Sequence, residues 1–192
     1  MLTQPTDLAE WRKARRAELI EARQAIPVAD RQAADTQLAE KLDATLGDVS
    51  GRTISLYWPF RGEPDLRQWA AACRSKGAAL ALPVVVAKAT PLEFRLWEEG
   101  AKLERGVWNI PIPSDTAKVV APDIVLAPVV GLDQQNFRLG YGGGFFDRTL
   151  AALRERGHKP RVIGVGYAQQ RMETIYPHEF DIPMDDVAIV EI

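Results

Sequence analysis

The hydrophobic pattern changes character once along the chain. Up to residue 46 apolar positions recur at helical spacing. Beyond it they gather into short unbroken runs separated by turn residues. The first helix is predicted to start near Asp7, with Glu10 three positions on in a capping-box-like arrangement. It runs to about Ala25 and stops before Pro27. The second runs from about Asp30 to Leu46, with Ala34, Leu38, Leu42 and Leu46 on one stripe and Gly47 behind it. Strands are predicted over 53–58, 79–86, 93–97, 124–130, 161–167 and 187–190, and further helices over 66–75 and 145–156. Residues 59–65 read as a turn-rich loop, 98–117 as a long loop and 137–144 as a glycine-rich connection.

Continuous apolar strands alternating with helices predict an α/β fold, a three-layer, mainly parallel sheet with helices on both faces. Such sheets bind ligands beyond the carboxyl ends of their strands. The loops 59–65, 131–144 and 167–171 all follow apolar strands, so they are expected to share one crevice. At roughly 150 residues per domain, 192 residues read as a single α/β domain over 1–192, with the N-terminal helical pair (about 7–46) packed on it.

Composition narrows the chemistry. With 24 Lys plus Arg against 26 Asp plus Glu, the chain is not a general nucleic-acid coat, so no nucleic-acid partner is expected. One cysteine, Cys73, excludes an intrachain disulfide and a multi-cysteine zinc site. Two histidines, His158 and His178, leave few candidates for a metal centre or a catalytic triad. His158 reads as a capping or surface residue, and His178 is not read as catalytic. The first residues show no basic region followed by an apolar one, and the most apolar stretches are short and broken by proline. A cytoplasmic protein with no membrane partner is expected.

The segment most suggestive of chemistry is Arg138-Leu139-Gly140-Tyr141-Gly142-Gly143-Gly144-Phe145-Phe146-Asp147-Arg148. Four glycines in five positions between a strand and a helix free the backbone N–H groups to close around an anion, at the positive end of the helix. Asp147 in the first helical turn can hold Mg²⁺ against a phosphate, or simply favour the helix dipole. A flexible loop fits the same residues. Neither a Walker A loop nor a dinucleotide fingerprint is present. On the first helix Arg12, Arg16 and Arg23 project at about 0°, 40° and 20°, one stripe that suits a polyphosphate or a solvated face. Glu63, between Gly62 and Pro64, can accept hydrogen bonds from a heterocycle or stand exposed in its loop. Trp108, near Pro111 and Pro113, can stack on a flat ring or anchor packing.

At this loop the sequence resembles the 5-formyltetrahydrofolate cyclo-ligase (5,10-methenyltetrahydrofolate synthetase) family. The resemblance covers nearly the whole chain. It takes in the basic first helix, Tyr57 to Asp65, Trp108 to Pro113, Pro122 to Asp133, Arg138 to Arg148 and Gly164 to Asp185. It implies ATP- and Mg²⁺-dependent closure of 5-formyltetrahydrofolate to 5,10-methenyltetrahydrofolate, with release of ADP and phosphate. It also implies a fold shared with CoA transferases and ribose-phosphate isomerases, and a monomer. Carried over by position, Arg138, Glu63 and Asp147 are catalytic. Arg12, Arg16, Arg138, Leu139, Gly140, Tyr141, Gly142, Gly143, Gly144, Phe145 and Phe146 bind ATP phosphates. Tyr57, Phe60, Glu63 and Trp108 bind the folate. Asp147 is a metal ligand, with Asp185 a second candidate.

Three residues depart from the family pattern. Phe146 stands where Tyr is frequent, Ile112 where Glu or Gln is common, and Arg12 where some members carry Lys. Two alternatives stay open, the first of them suggested by the missing hydroxyl at Phe146. One is a catalytically weak folate- or nucleotide-binding homologue. The other is a phosphotransferase acting on another small molecule.

Overall fold

A computed structural model describes residues 4–192; Met1–Thr3, part of the stretch read for a leader, lie outside the described residues. Asp7 caps the first helix, α1 (Leu8–Ala25), by accepting the Glu10 N–H at 3.0 Å, and the helix ends before Pro27 as expected. The second, α2 (Val28–Leu46), starts two residues earlier than predicted. Pro27 ends one helix and opens the next, because a proline lacks only an N–H that a first turn leaves unbonded anyway. Gly47, with φ of 64°, ends α2.

The remaining elements follow in order: β1 (Thr53–Ser55), α3 (Arg67–Ser75), β2 (Ala79–Val84), β3 (Glu93–Leu96), β4 (Leu103–Arg105), β5 (Pro111–Pro113), β6 (Ile124–Pro128), β7 (Gly131–Leu132), β8 (Arg138–Leu139), α4 (Phe145–Glu155), β9 (Arg161–Tyr167) and β10 (Asp186–Val190). Six strands form one sheet in the order β10-β9-β6-β1-β2-β3, parallel except for β3, which runs antiparallel to β2. The expected mixed α/β architecture is therefore present.

Alternation along each strand sorts the core into layers. Ile54, Leu80, Leu82, Leu126, Ile163 and Val165 pack with Leu38 and Leu42 of α2 and Trp69 and Cys73 of α3. Val125, Ala127, Val162 and Ile189 face the other way, against Leu150 and Leu153 of α4. Cys73 is buried as expected, and burial pushes its thiol up to about 11. Among the described residues no helix is long and apolar enough to cross a membrane.

Two predicted loops contain strands. The 98–117 segment holds the β4–β5 hairpin, joined through a short 3₁₀ turn over Val107–Asn109. The 131–144 segment holds the β7–β8 hairpin. Both were hidden by length and punctuation: the strands are two or three residues long, and prolines begin and end β5. Buried Asp133 ties the second hairpin, its Oδ1 accepting the N–H groups of Gln135 and Phe137 at 2.9 Å each.

Candidate active site

A cavity of about 760 Å³ opens beyond the carboxyl ends of β1, β2 and β6. Its size falls within the ordinary range for a small-molecule site. Four segments close it: the turn after β1, the glycine-rich loop with the start of α4, the β4–β5 hairpin, and residues 178–182. Arg12 and Arg16 of α1 reach in from the side.

The turn after β1 is built to hold a carboxylate. Arg61 and Gly62 both take positive φ (47° and 76°), which reverses the chain. The Glu63 N–H then bonds the Phe60 carbonyl at 3.1 Å, and Glu63 Oε2 accepts the Phe60 N–H at 3.0 Å. Tyr57, buried, fixes the far side of the turn by donating its hydroxyl to the Pro64 carbonyl at 2.9 Å. Glu63 is 7% exposed, so it is no solvated loop acid. Burial raises its pKa, opposed by the charge of Arg23, the hydroxyl of Tyr141, the Phe60 N–H and the charge of Arg138.

An aromatic wall stands beside this carboxylate. Phe60 and Trp108 lie parallel, with centroids 5.7 Å apart and planes 6° apart, and Tyr141 leans on both. Trp108 and Asn109 both sit at left-handed φ (55° and 60°), which turns the indole toward Phe60. Tyr57, Phe60 and Trp108 thus line the cavity with Glu63.

The glycine-rich loop is enclosed by guanidiniums. Arg16 Nε donates to the Gly140 carbonyl at 2.8 Å, and Arg148 donates to the Gly143 carbonyl. A methyl group at Gly140 would lie 2.7 Å from the Arg138 guanidinium, and one at Gly142, where φ is 97°, 3.3 Å from that of Arg16. The glycines leave a hollow that side chains would fill. Burial lowers the Arg16 pKa, and the charge of Arg12 lowers it further. The Arg138 guanidinium stacks 4.5 Å over the Phe146 ring. Burial lowers its pKa, against the carboxylates of Asp147, Glu63 and Asp181.

Asp147 lines the cavity at the start of α4, its Oδ1 accepting the Ile182 N–H at 3.0 Å. That bond brings Asp181 alongside. Asp181 Oδ2 accepts from Arg12 Nη2 at 2.8 Å and from the His178 N–H at 2.9 Å. Asp181 was missed by sequence reasoning, although it lies in the same block as Asp185. Among the described residues no group of three His, Cys, Asp or Glu gathers to hold a metal. Two carboxylates lining one cavity still suit Mg²⁺, which commonly takes one or two from the protein and the rest from phosphates and water.

Three expectations are corrected. Asp185 lies outside the cavity: it is exposed at the amino end of the parallel strands, and its Oδ2 accepts the Val162 N–H at 2.8 Å. An acid there cannot reach a crevice at the carboxyl end. Arg23 shares the helical stripe but does not line the cavity; it is 1% exposed behind the wall. Residues 167–171 do not line it either. Gln170 there is buried and braces the Val129 and Val130 carbonyls from behind. His158 caps as expected, its N–H bonding the Leu153 carbonyl at 2.9 Å.

Comparison with known proteins agrees with this architecture. The chain is 28% identical over 170 residues to the 5-formyltetrahydrofolate cyclo-ligase of Escherichia coli strain K12, covering 86% of this chain and 92% of that one. It is 29% identical over 181 residues to the enzyme of that name from Mycolicibacterium smegmatis, covering 90% of each. The solved 5,10-methenyltetrahydrofolate synthetase of Aquifex aeolicus shares the fold, with a TM-score of 0.78 over 93% of this chain and 89% of that one at 24% identity. A model of one family of ligases matches residues 8–190, nearly the whole length over which the hairpins, the turn and the glycine-rich loop are assembled, and the chain belongs to that 5-formyltetrahydrofolate cyclo-ligase family.

Proposed function

We propose that the chain closes 5-formyltetrahydrofolate to 5,10-methenyltetrahydrofolate at the expense of ATP, releasing ADP and phosphate. The observation that carries this reading is the union, in one cavity, of an arginine-lined glycine loop and a buried carboxylate beside an aromatic wall. A formyl amide is a poor electrophile, and its oxygen is a poor leaving group. Transfer of the γ-phosphoryl group to that oxygen corrects both faults. N10 then attacks the activated carbon, the ring closes and phosphate departs.

Such a reaction asks mainly for positioning and charge neutralisation. The N–H groups from Leu139 to Phe146 and the guanidiniums of Arg12, Arg16 and Arg138 hold the polyphosphate. Arg138 faces the transferring group and Glu63 the N–H groups of the pterin. Tyr57, Phe60 and Trp108 hold its ring. Asp147 and Asp181 are the residues that would hold Mg²⁺, which would supply positive charge to the phosphates when bound.

The test is the near-ultraviolet absorbance of the methenyl product after mixing the protein with 5-formyltetrahydrofolate and MgATP. An increase that needs both ATP and Mg²⁺ is expected. Folded protein that gives no increase would overturn the reading.

A further inference from the structure

Tyr141 carries a side chain from the glycine-rich loop across to the turn after β1. Its backbone belongs to the loop read as the phosphate site. Its ring leans on Phe60 and Trp108, and its hydroxyl donates to Glu63 Oε1 at 2.7 Å. The same hydroxyl accepts from Arg23 Nη2 at 2.6 Å.

Arg23 is held on every side. Its Nε donates to the Arg61 carbonyl at 2.9 Å and its Nη1 to the Val129 carbonyl at 3.0 Å; Nη2 lies 3.9 Å from Glu63 Oε1. A planar fork matches three separate acceptors, which a lysine cannot do. One guanidinium therefore pins the turn after β1, the end of β6 and, through Tyr141, the glycine-rich loop. Burying such a charge is costly unless partners satisfy it, and here they do. Its place behind the wall keeps it from touching a ligand.

We propose that Arg23 and Tyr141 are positioning residues, which aim the Glu63 carboxylate at the folate and lock its placement to that of the phosphate loop. This rests on the cyclo-ligase reading of the cavity. Three titratable groups act on Glu63, namely Arg23 from α1, Tyr141 from the glycine loop and Arg138 from β8, while Tyr57 after β1 and Tyr167 at the end of β9 feel the charge of Glu63 in turn. The Tyr141 hydroxyl favours the ionised carboxylate, so its loss moves the Glu63 pKa upward.

The test compares the wild-type chain with Tyr141→Phe and Arg23→Lys, each checked for folding by circular dichroism. Tyr141→Phe keeps the ring packing and removes only the hydroxyl. Expected is a fall in kcat/KM for 5-formyltetrahydrofolate of about tenfold to a hundredfold, the range for one hydrogen bond to a buried charge. KM for MgATP should change less than about twofold, and the acid limb of the folate kcat/KM profile should move to higher pH. Arg23→Lys, where folded, should act in the same direction. Unchanged folate kinetics and an unmoved acid limb in Tyr141→Phe would overturn the proposal, as would a defect confined to ATP. Wild-type protein without turnover would instead sink the cyclo-ligase reading and the positioning role with it.

Discussion

Two aspartates four residues apart, Asp181 and Asp185, meet different fates. Asp181 faces Arg12 across 2.8 Å at the cavity, while Asp185 holds the start of a strand at the opposite end of the sheet. Asp181→Asn should raise the Mg²⁺ needed for half-maximal turnover by at least about tenfold. Asp185→Asn should leave that value unchanged; the reverse result would return the metal role to Asp185. Phe146 makes a second case at this scale. Its ring already carries the Arg138 guanidinium at 4.5 Å, so the aromatic support does not depend on a hydroxyl. Phe146→Tyr should therefore change kcat by less than about threefold, well inside the 10²–10³ cost of losing one transition-state donor. A large gain in the methenyl assay would identify a site impaired by the missing hydroxyl.

At the scale of elements, β9 shows how tightly the strands behind the site are packed. A methyl group on Gly166 would stand 2.6 Å from Val129 Cγ2 and 2.7 Å from Gln170 Oε1. Gly166→Ala should destabilise the fold by about 1–3 kcal/mol, the usual cost of overpacking a core, read as a lowered denaturant midpoint. The long elements were legible in the sequence: α1, α4 and β9 carry enough apolar positions for their period to show, and β9 spans the predicted residues. The short hairpins were not. The β4–β5 and β7–β8 strands are too brief to establish a period, and their order comes from tertiary partners such as Ile175, whose N–H reaches Asp133 Oδ2. For the same reason the glycine loop could be read from its residues, while the inward turn of Trp108 could not.

Across the whole molecule, Asp35 of α2 ties the helical layer to the turn below the site. Its Oδ1 accepts the Asp65 N–H at 3.0 Å, with Arg31, Asp65, Tyr57 and Tyr167 around it. Burial is the main cause that pushes its pKa up to about 6. Unfolded, the group returns to about 3.9. Between about pH 4 and 6 the folded chain thus binds more protons than the unfolded one, and the contribution of Asp35 grows more favourable as pH falls through that window. Asp35→Asn, which keeps an acceptor and removes the charge, should raise Tm at pH 7 and weaken this acid-side gain. A Tm that falls at pH 7 with an unchanged pH profile would count against it. The sequence placed Asp35 on a helix but could not show what it touches, 30 residues away at Asp65.

Trp108 has a use of another kind. The residue is 56% exposed at the mouth of the cavity, whereas Trp69 is buried, Trp11 is half-buried against Tyr176, and Trp58 and Trp97 pack against each other. An aqueous quencher such as iodide therefore reaches Trp108 most readily while the cavity is open. Filling the folate side should shield it and reduce quenching, and Trp108→Phe should abolish that change. The chain thus carries its own optical gauge of occupancy, and binding can be followed without turnover or an added label.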